Sequence, residues 1–404
     1  MGDNLANTVP LINDTRSRES DPPDRLISTF LIAHSRIFRE LAELREEGWN
    51  NPRGDKHFQK QRRDADEASY SVRKGFYNLM QRIGDELQAA SGALSLPGPH
   101  AEVLDICMAP GGYSASALKY SPHACVSGIT LPESLGGHQL LIPNGRIDPR
   151  VDVQLADITM LTAEYGVTDI PEGHPDVLNF SLERPWATKS FDLVFCDGQV
   201  LRTHAPHIAS YRQRREAGRL SCSQLILAMQ RIKPGGTFIV LLHKVELWRT
   251  MKLLSLFDAI SQIELFKPVT SHKTRGSFYL IAKNVQPHHP EALAAINEWK
   301  AAWKNATFPV STDEDCQNPP DFVEEHVQEE EVSGLLASFG ERLIELGEPV
   351  WQIQKNALRG ARWFKDKEVK PAGTSAGQVG VPASPASAHP INVSSMMGNL
   401  QLGR

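Results

Sequence analysis

Two charged residues follow apolar segments that have the length and composition of buried strands. Asp197 follows "FDLVFC", and Lys244 follows "GGTFIVLLH". Ligands of open α/β sheets bind at the carboxyl ends of the strands, so an Asp and a Lys at two such ends would meet at an active edge. A lysine whose pKa is lowered can accept the proton of a poorly acidic hydroxyl, and a carboxylate beside it fixes its position. The alternative is a structural salt bridge at the sheet edge.

A proline and two glycines separate another apolar segment from a helical one, in "VLDICMAPGGYSASAL". Gly111 and Gly112 lack a Cβ, so the backbone there can approach a ligand closely. The backbone amides and the start of the following helix would form a polar, weakly positive pocket. The loop matches neither GxGxxG nor GxxxxGK[ST], which argues against a dinucleotide or a nucleoside triphosphate. A simple strand-to-helix turn is the alternative.

These residues belong to a region in which apolar strand segments alternate with helical ones, which predicts a mostly parallel sheet covered by helices on both faces. The last strand follows its predecessor after a short turn, and we expect it to run antiparallel at the end of the sheet. The predicted strands are Glu102–Cys107, Ala124–Leu131, Val151–Ala156, Phe191–Cys196, Gly236–His243, Ile263–Lys267 and Ser277–Lys283. The predicted helices between them are Ser114–Lys119, Ser221–Ile232 and Leu247–Ser261.

The ends of the chain have a different character. Apolar residues recur at spacings of three and four over 24–44 and 68–90, and again from Leu335 to Phe364, where we expect a helix or a helix pair broken near Gly347–Pro349. Residues 313–331 contain nine acids and no Lys or Arg, which favours a solvated linker. The predicted divisions are a disordered tail (1–22), N-terminal helices (23–95), an α/β domain (96–285), a helical extension (286–312), an acidic linker (313–332), C-terminal helices (333–367) and a disordered tail (368–404).

Composition narrows the class of protein. The 404 residues carry a net charge of −5 and five scattered cysteines without a CxxC pair, which favours a reduced protein without a structural metal. We see no signal peptide and no apolar run of about 20 residues, the length that spans a bilayer. We therefore expect a soluble cytoplasmic or nuclear protein with no membrane partner.

The segment "LDICMAPGGYS" resembles the first motif of the FtsJ-like methyltransferases, and the likeness continues in order from about Tyr70 to Asn284. The resemblance implies a Rossmann-like, seven-stranded methyltransferase that uses S-adenosylmethionine to methylate ribose 2′-hydroxyls of RNA. It implies that Asp157 contacts the adenine amino group, although a helix N-cap is the alternative there. The implied cofactor-binding residues are Asp105, Ala109, Pro110, Gly111, Gly112, Tyr113, Ser114, Thr130, Asp157 and Asp197.

Members of this family use a Lys-Asp-Lys-Glu tetrad, and the resemblance assigns Asp197 and Lys244 to its inner positions. The outer positions depart from the pattern. In "FYNL", Asn78 stands where the first lysine belongs, with Lys74 one turn earlier, and in "RGSFY", Ser277 stands in the Glu position. The predicted catalytic residues are therefore Lys244, Asp197, Lys74 and Ser277, and the alternative is a catalytically silent module that binds RNA or protein.

A basic stretch with an aromatic residue follows Asp197, and a second basic cluster precedes the helix of Lys74. Guanidinium groups suit phosphates, and an aromatic ring can stack on a base. The predicted contacts to RNA, whether ribosomal RNA, transfer RNA or the mRNA cap, are Arg202, Tyr211, Arg212, Arg214, Arg215, Arg62 and Arg63. The alternative is a solvated, charged helix face.

Overall fold

The computed structural model describes residues 22–49, 70–308 and 327–361. The predicted terminal tails, most of the acidic linker, and the basic residues Arg62 and Arg63 lie outside the described residues. The described strands are β1 (Glu102–Ile106), β2 (Cys125–Thr130), β3 (Val151–Leu155), β4 (Phe191–Cys196), β5 (Ile232–His243), β6 (Gln262–Phe266) and β7 (Ser277–Val285). They form one seven-stranded sheet in the order β3-β2-β1-β4-β5-β7-β6.

The sheet is parallel from β3 through β5, and its last strand is antiparallel, as predicted. The predicted place of that strand was wrong, because β7 lies between β5 and β6 and pairs antiparallel with both. Almost every residue of β7 is buried, whereas β6 is short and mostly accessible. A long apolar strand needs a neighbour on each side, and a short, half-exposed strand suits an edge.

Helices cover both faces of the sheet, and further helices lie at both ends of the chain. The described α-helices are α1 (Pro22–His34), α2 (Arg36–Trp49), α3 (Tyr70–Ser91), α4 (Gly112–Tyr120), α5 (Glu216–Arg231), α6 (Trp248–Ile260), α7 (Pro290–Thr307) and α8 (Glu329–Arg359). Apolar residues of α3 and α4 belong to one core cluster, and those of α5, α6, α7 and the terminal helices to a second. No helix among the described residues has the length and apolar character needed to cross a membrane.

The terminal helices pack together. Helix α8 contacts α1 and α2, and Lys355 and Arg359 of α8 form ion pairs with Glu40 of α2. The predicted break near Gly347–Pro349 was wrong, since α8 is one continuous helix with Pro349 inside it. Burial of Val350 and Trp351, which directly follow Pro349, offsets the hydrogen bond that a proline cannot donate.

Candidate active site

A cleft of about 440 Å³ opens at the carboxyl ends of the parallel strands. This volume is within the range of small-molecule sites in proteins. Six of the residues predicted to bind a cofactor line it, and they are Ala109, Pro110, Tyr113, Thr130, Asp157 and Asp197. The wall does not include the remaining four, Asp105, Gly111, Gly112 and Ser114. Some residues of the loop after β1 therefore line the cleft, and its other residues support them from behind.

The two loop glycines make room for protein atoms. A Cβ on Gly111 would lie 2.5 Å from Cγ2 of Ile142, and a Cβ on Gly112 would lie 2.6 Å from the carbonyl oxygen of Tyr77 on α3. Gly111 also has a φ of 97°, in the left-handed region that favours glycine. The expectation that these glycines clear space for a ligand is corrected, because their missing side chains let α4 pack closely against its neighbours.

Asp105 supports this loop from within the core. It is fully buried, and its Oδ2 accepts a hydrogen bond of 2.5 Å from Oγ of Ser114 at the start of α4. Its Oδ1 has no partner among the described residues. Burial raises the pKa of Asp105 to about 7, against the opposing effect of Ser114. A buried carboxyl without a cationic partner therefore lies directly beneath the cleft.

Asp197 occupies the cleft floor at the end of β4. The peptide that follows it is held by Gln224 of α5, whose Oε1 accepts from N of Gly198 at 2.8 Å and whose Nε2 donates to O of Gly198 at 3.1 Å. Burial and the neighbouring Asp105 carboxyl raise the pKa of Asp197 well above its usual range. Asp197 is thus held in position, and its ionised form would be stabilised by a cation in the cleft.

Thr130 and Asp157 lie at the ends of the next two strands. The Thr130 hydroxyl accepts a hydrogen bond of 3.3 Å from N of Ala109 and so links β2 to the loop after β1. Asp157 is the N-cap of a short 3₁₀ helix, as the alternative interpretation proposed, and its Oδ1 accepts from N of Thr159 at 2.9 Å. Because Asp157 also lines the cleft, capping the helix does not exclude contact with a ligand.

Leu241, and not Lys244, lines the cleft at the end of β5. Cys196 of β4 pairs with Val240 of β5, so the next position along the register sets Leu241 beside Asp197. Strand β5 continues to His243, which puts Lys244 roughly 10 Å beyond Leu241 at about 3.3 Å per residue. The prediction that Lys244 joins Asp197 at the active edge is therefore revised.

Lys244 lies near a different carboxylate. Burial raises the pKa of Glu246, but Arg45 and Lys244 act against burial and bring that pKa below its usual value. The Arg45–Glu246 ion pair, with Nη1 and Oε1 2.6 Å apart, joins helix α2 to the turn after β5. Lys244 thus belongs to an ionic cluster that holds the N-terminal helices on the domain.

The residues predicted for the outer positions of the tetrad also do not line the cleft. Lys74 and Asn78 are exposed on α3, and it is Arg73, one residue earlier, that lines the cleft. Ser277 at the start of β7 is buried, and its Oγ has no partner among the described residues. Arg73 shares a helix face with Phe76 and Met80, which also line the cleft, so helical spacing was the signal that would have selected it.

Histidines in the cleft were not predicted. The wall includes His138 from the loop after β2, His204 and His207 from the loop after β4, and His272 from the loop after β6. Burial lowers the pKa of His204 to about 4 and that of His272 to about 3, so both imidazoles are neutral at neutral pH. Their loops carry no motif, and only the fold brings them together. In the described ranges, no three His, Cys, Asp or Glu side chains are grouped as metal ligands.

The basic stretch after β4 is largely an internal ion network. Arg212 is buried and forms ion pairs with Asp176 at 2.8 Å and Glu216 at 2.7 Å, and Tyr211 donates to Asp176 at 2.9 Å. Arg215 is also buried. The expectation that Arg212 contacts a phosphate is contradicted, because its guanidinium is buried between two acidic partners. Burial also argues against a phosphate contact by Arg215.

Arg214 is exposed and remains a candidate RNA contact. The wall of the cleft carries acidic side chains beside Arg73 and Arg212. Asp157 and Asp197 line it, and burial raises the pKa of both, with Glu216 adding to the effect at Asp157 and Asp105 at Asp197. Carboxyls whose pKa is raised in this way favour a ligand that carries positive charge, because the ligand stabilises their ionised form. The geometry therefore suits a cationic small molecule in the inner cleft.

The chain is similar to known proteins over part of its length. The cap-specific mRNA (nucleoside-2′-O-)-methyltransferase 2 of Drosophila melanogaster is 27% identical to this chain over 138 residues. These residues are 33% of this chain and 19% of that protein. The chain thus spans about a fifth of the length of this curated relative.

Solved structures were also matched. A ribosomal RNA methyltransferase from Plasmodium falciparum is 19% identical with a TM-score of 0.32, over 54% of this chain and 97% of that one. Human methyltransferase-like protein 13 in complex with SAH is 14% identical with a TM-score of 0.28, over 64% of this chain and 98% of that one. The model of the FtsJ-like methyltransferase family matches residues 82–285, about half of the chain. The chain belongs to the FtsJ-like methyltransferase family.

Proposed function

We propose that this chain transfers a methyl group from S-adenosylmethionine to a ribose 2′-hydroxyl of RNA. The observation that carries the proposal is the inner cleft, in which Asp157 and Asp197 present carboxyls whose pKa is raised by burial. S-adenosylmethionine is the methyl donor that membership of the family implies, and it carries a sulfonium and an ammonium group. The charge of the cleft therefore fits the donor, and its volume suits a small molecule.

The residues present fit separate parts of the donor. Asp157 would accept a hydrogen bond from the adenine amino group, and Thr130 would face the ribose. Ala109, Pro110 and Tyr113 would line the methionine part, supported from behind by Asp105, Gly111, Gly112 and Ser114. When bound, the donor supplies a methyl group on a positively charged sulfur, which an oxygen nucleophile can attack in line.

Asp197 is a group on the cleft wall that can accept the proton of the attacking hydroxyl. Asp197 would accept the hydroxyl proton as the oxygen bonds to the methyl carbon, while the bond from that carbon to sulfur breaks and its electron pair stays on the sulfur of the departing S-adenosylhomocysteine. Burial and the Asp105 carboxyl raise the pKa of Asp197, so its carboxylate holds a proton more strongly than an ordinary carboxylate does. In this proposal Lys244 is no longer the proton acceptor.

A second candidate is a silent module that binds the donor or RNA without transfer. Leu241 beside Asp197 favours it, as do the exposed Asn78 and the partnerless Ser277. Within the described residues, the wall of the cleft contains no lysine.

Calorimetric titration of the full chain with S-adenosylmethionine, followed by transfer of a labelled methyl group to total RNA, separates the two. We expect binding and transfer, and we expect Asp197→Asn to lower transfer about 100-fold or more. Binding without transfer supports the silent module. No heat of binding contradicts the proposed enzyme.

A further inference from the structure

The carbonyl oxygen of Thr159 accepts hydrogen bonds from two distant parts of the chain. One comes from Nη2 of Arg219 on α5, at 3.0 Å, and the other from Nε1 of Trp303 on α7, at 3.1 Å. Trp303 is fully buried. Helix α7 lies beyond residues 82–285, the part that matches the family. An appended helix thus bonds directly to a turn at the edge of the cleft.

The same turn orients a carboxylate of the cleft. Oδ1 of Asp157 accepts from N of Thr159 at 2.9 Å and from Oγ1 of Thr159 at 2.8 Å. Within the described part of the chain, Oδ2 of Asp157 accepts no hydrogen bond, and the residue lines the cleft. The position of the Thr159 peptide therefore sets the direction in which Oδ2 is presented to a ligand.

Helix α7 is held to this turn by a second route. Nε of Arg219 donates to Oγ1 of Thr307 at 3.0 Å, while Nη1 of Arg219 pairs with Glu216 at 2.5 Å. The ring of Trp303 packs against Tyr165 with centroids 4.5 Å apart. Each contact is between buried side chains, where a missing hydrogen bond is costly. Rotation of α7 would therefore disturb the turn.

We propose that Trp303 is a positioning residue of the donor site. Trp303 holds the Thr159 carbonyl, and the Thr159 turn in turn orients the Asp157 carboxylate toward the adenosine half of S-adenosylmethionine. Helix α7 therefore contributes to the donor site. This inference rests on the proposed function, in which Asp157 accepts from the adenine amino group.

The test is calorimetric titration of full-length variants with S-adenosylmethionine. Trp303→Phe keeps an aromatic ring against Tyr165 and removes the indole N–H, and we expect Kd to rise about fivefold, the effect of one neutral hydrogen bond. Trp248→Phe is the matched control, because Trp248 is equally buried but its Nε1 has no partner among the described residues. We expect Trp248→Phe to lower Tm without changing Kd.

A double-mutant cycle separates positioning from general loosening of the fold. Asp157→Asn keeps an oxygen for the cap and removes the second acceptor. In that background we expect Trp303→Phe to change Kd by less than about twofold. If Trp303→Phe fails to fold, Thr307→Val, which removes the acceptor of Arg219 Nε, takes its place with the same expectation.

Two results overturn the inference alone: a wild-type Kd retained in Trp303→Phe, or an equal rise in Kd in both backgrounds. No measurable binding by the wild-type chain overturns the proposed function and, with it, this inference.

Discussion

Asp197 and Leu241 lie side by side at the carboxyl ends of β4 and β5, and both side chains line the cleft. A carboxyl of raised pKa thus has an aliphatic neighbour. Nothing at position 241 can hold the carboxylate in its ionised form or share the proton. In the proposed reaction, Asp197 therefore has no basic partner at position 241.

Replacement of Leu241 is expected to increase activity. Leu241→Lys would set an ammonium group beside Asp197, lower the pKa of that carboxyl and add a second basic group. We expect transfer of labelled methyl to total RNA to rise about tenfold or more, within the usual contribution of a positioned acid or base. Leu241→Met, which is similar in size and uncharged, is the control. Unchanged transfer by a Leu241→Lys variant that still binds the donor would contradict this expectation.

The buried carboxyl of Asp105 predicts a pH dependence of stability. Burial raises its pKa from 3.8 to about 7, so between these values the folded chain holds a proton that the unfolded chain has released. The stability that this group contributes is fully present below its unfolded pKa and is lost as pH rises through about 7. We expect Asp105→Asn to have a higher Tm than the wild-type chain at about pH 9 and a smaller advantage at about pH 5. A constant difference in Tm across this range would rule the explanation out.

The close approach of α3 and α4 makes Gly112 sensitive to substitution. In Gly112→Ala, the added methyl would lie 2.6 Å from the backbone oxygen of Tyr77, which cannot turn away as a side chain could. We expect the free energy of unfolding, measured in urea, to fall by about 1–3 kcal/mol. Gly173→Ala serves as the control because nothing lies within 4 Å of its Cβ position, and a change below about 0.5 kcal/mol is expected there. Equal effects at the two sites would argue against the packing explanation.

Arg212 and Arg214 are expected to have separate roles. Arg212→Ala leaves Asp176 and Glu216 without their shared cation, and we expect the free energy of unfolding to fall by about 3–5 kcal/mol. Arg214→Ala should leave stability within about 0.5 kcal/mol of wild type, since Arg214 is exposed.

RNA binding measured at several salt concentrations tests the second role. If Arg214 contacts a phosphate, Arg214→Ala should lower the salt dependence of the binding constant by about one charge. An unchanged salt slope would remove Arg214 from the RNA surface, as burial has already removed Arg212.

The alternation of strands and helices was predictable because the spacing of apolar residues within each segment indicates its secondary structure. The loop from Asp105 to Ser114 was also identifiable, since a strand, a Pro-Gly-Gly turn and a helix start are consecutive in the chain. The same local signal failed at Gly347–Pro349, where packing of α8 on α1 and α2 outweighs the tendency of proline to end a helix.

The cleft could be predicted only in part. Asp157 and Asp197 end strands that each follow a recognisable pattern, so their place at the edge follows from the fold class. Lys244 was misplaced although its strand ends at His243 as predicted, because Leu241, three residues before the strand's end, is the residue beside Asp197, and that difference is roughly 10 Å along β5. Whether a basic residue is free for RNA also depends on distant acids, as with Arg212 and Asp176, which are 36 residues apart in the chain.

The class of fold, the family and the loop that supports the cleft could be identified from the amino-acid sequence, because each depends on residues close together in the chain. Three relationships appear first in the folded molecule: Leu241 lies beside Asp197, the two loop glycines serve packing, and Trp303 meets Thr159 across 144 residues. These relationships depend on register, helix packing and buried hydrogen bonds between segments far apart in sequence, which no local pattern records.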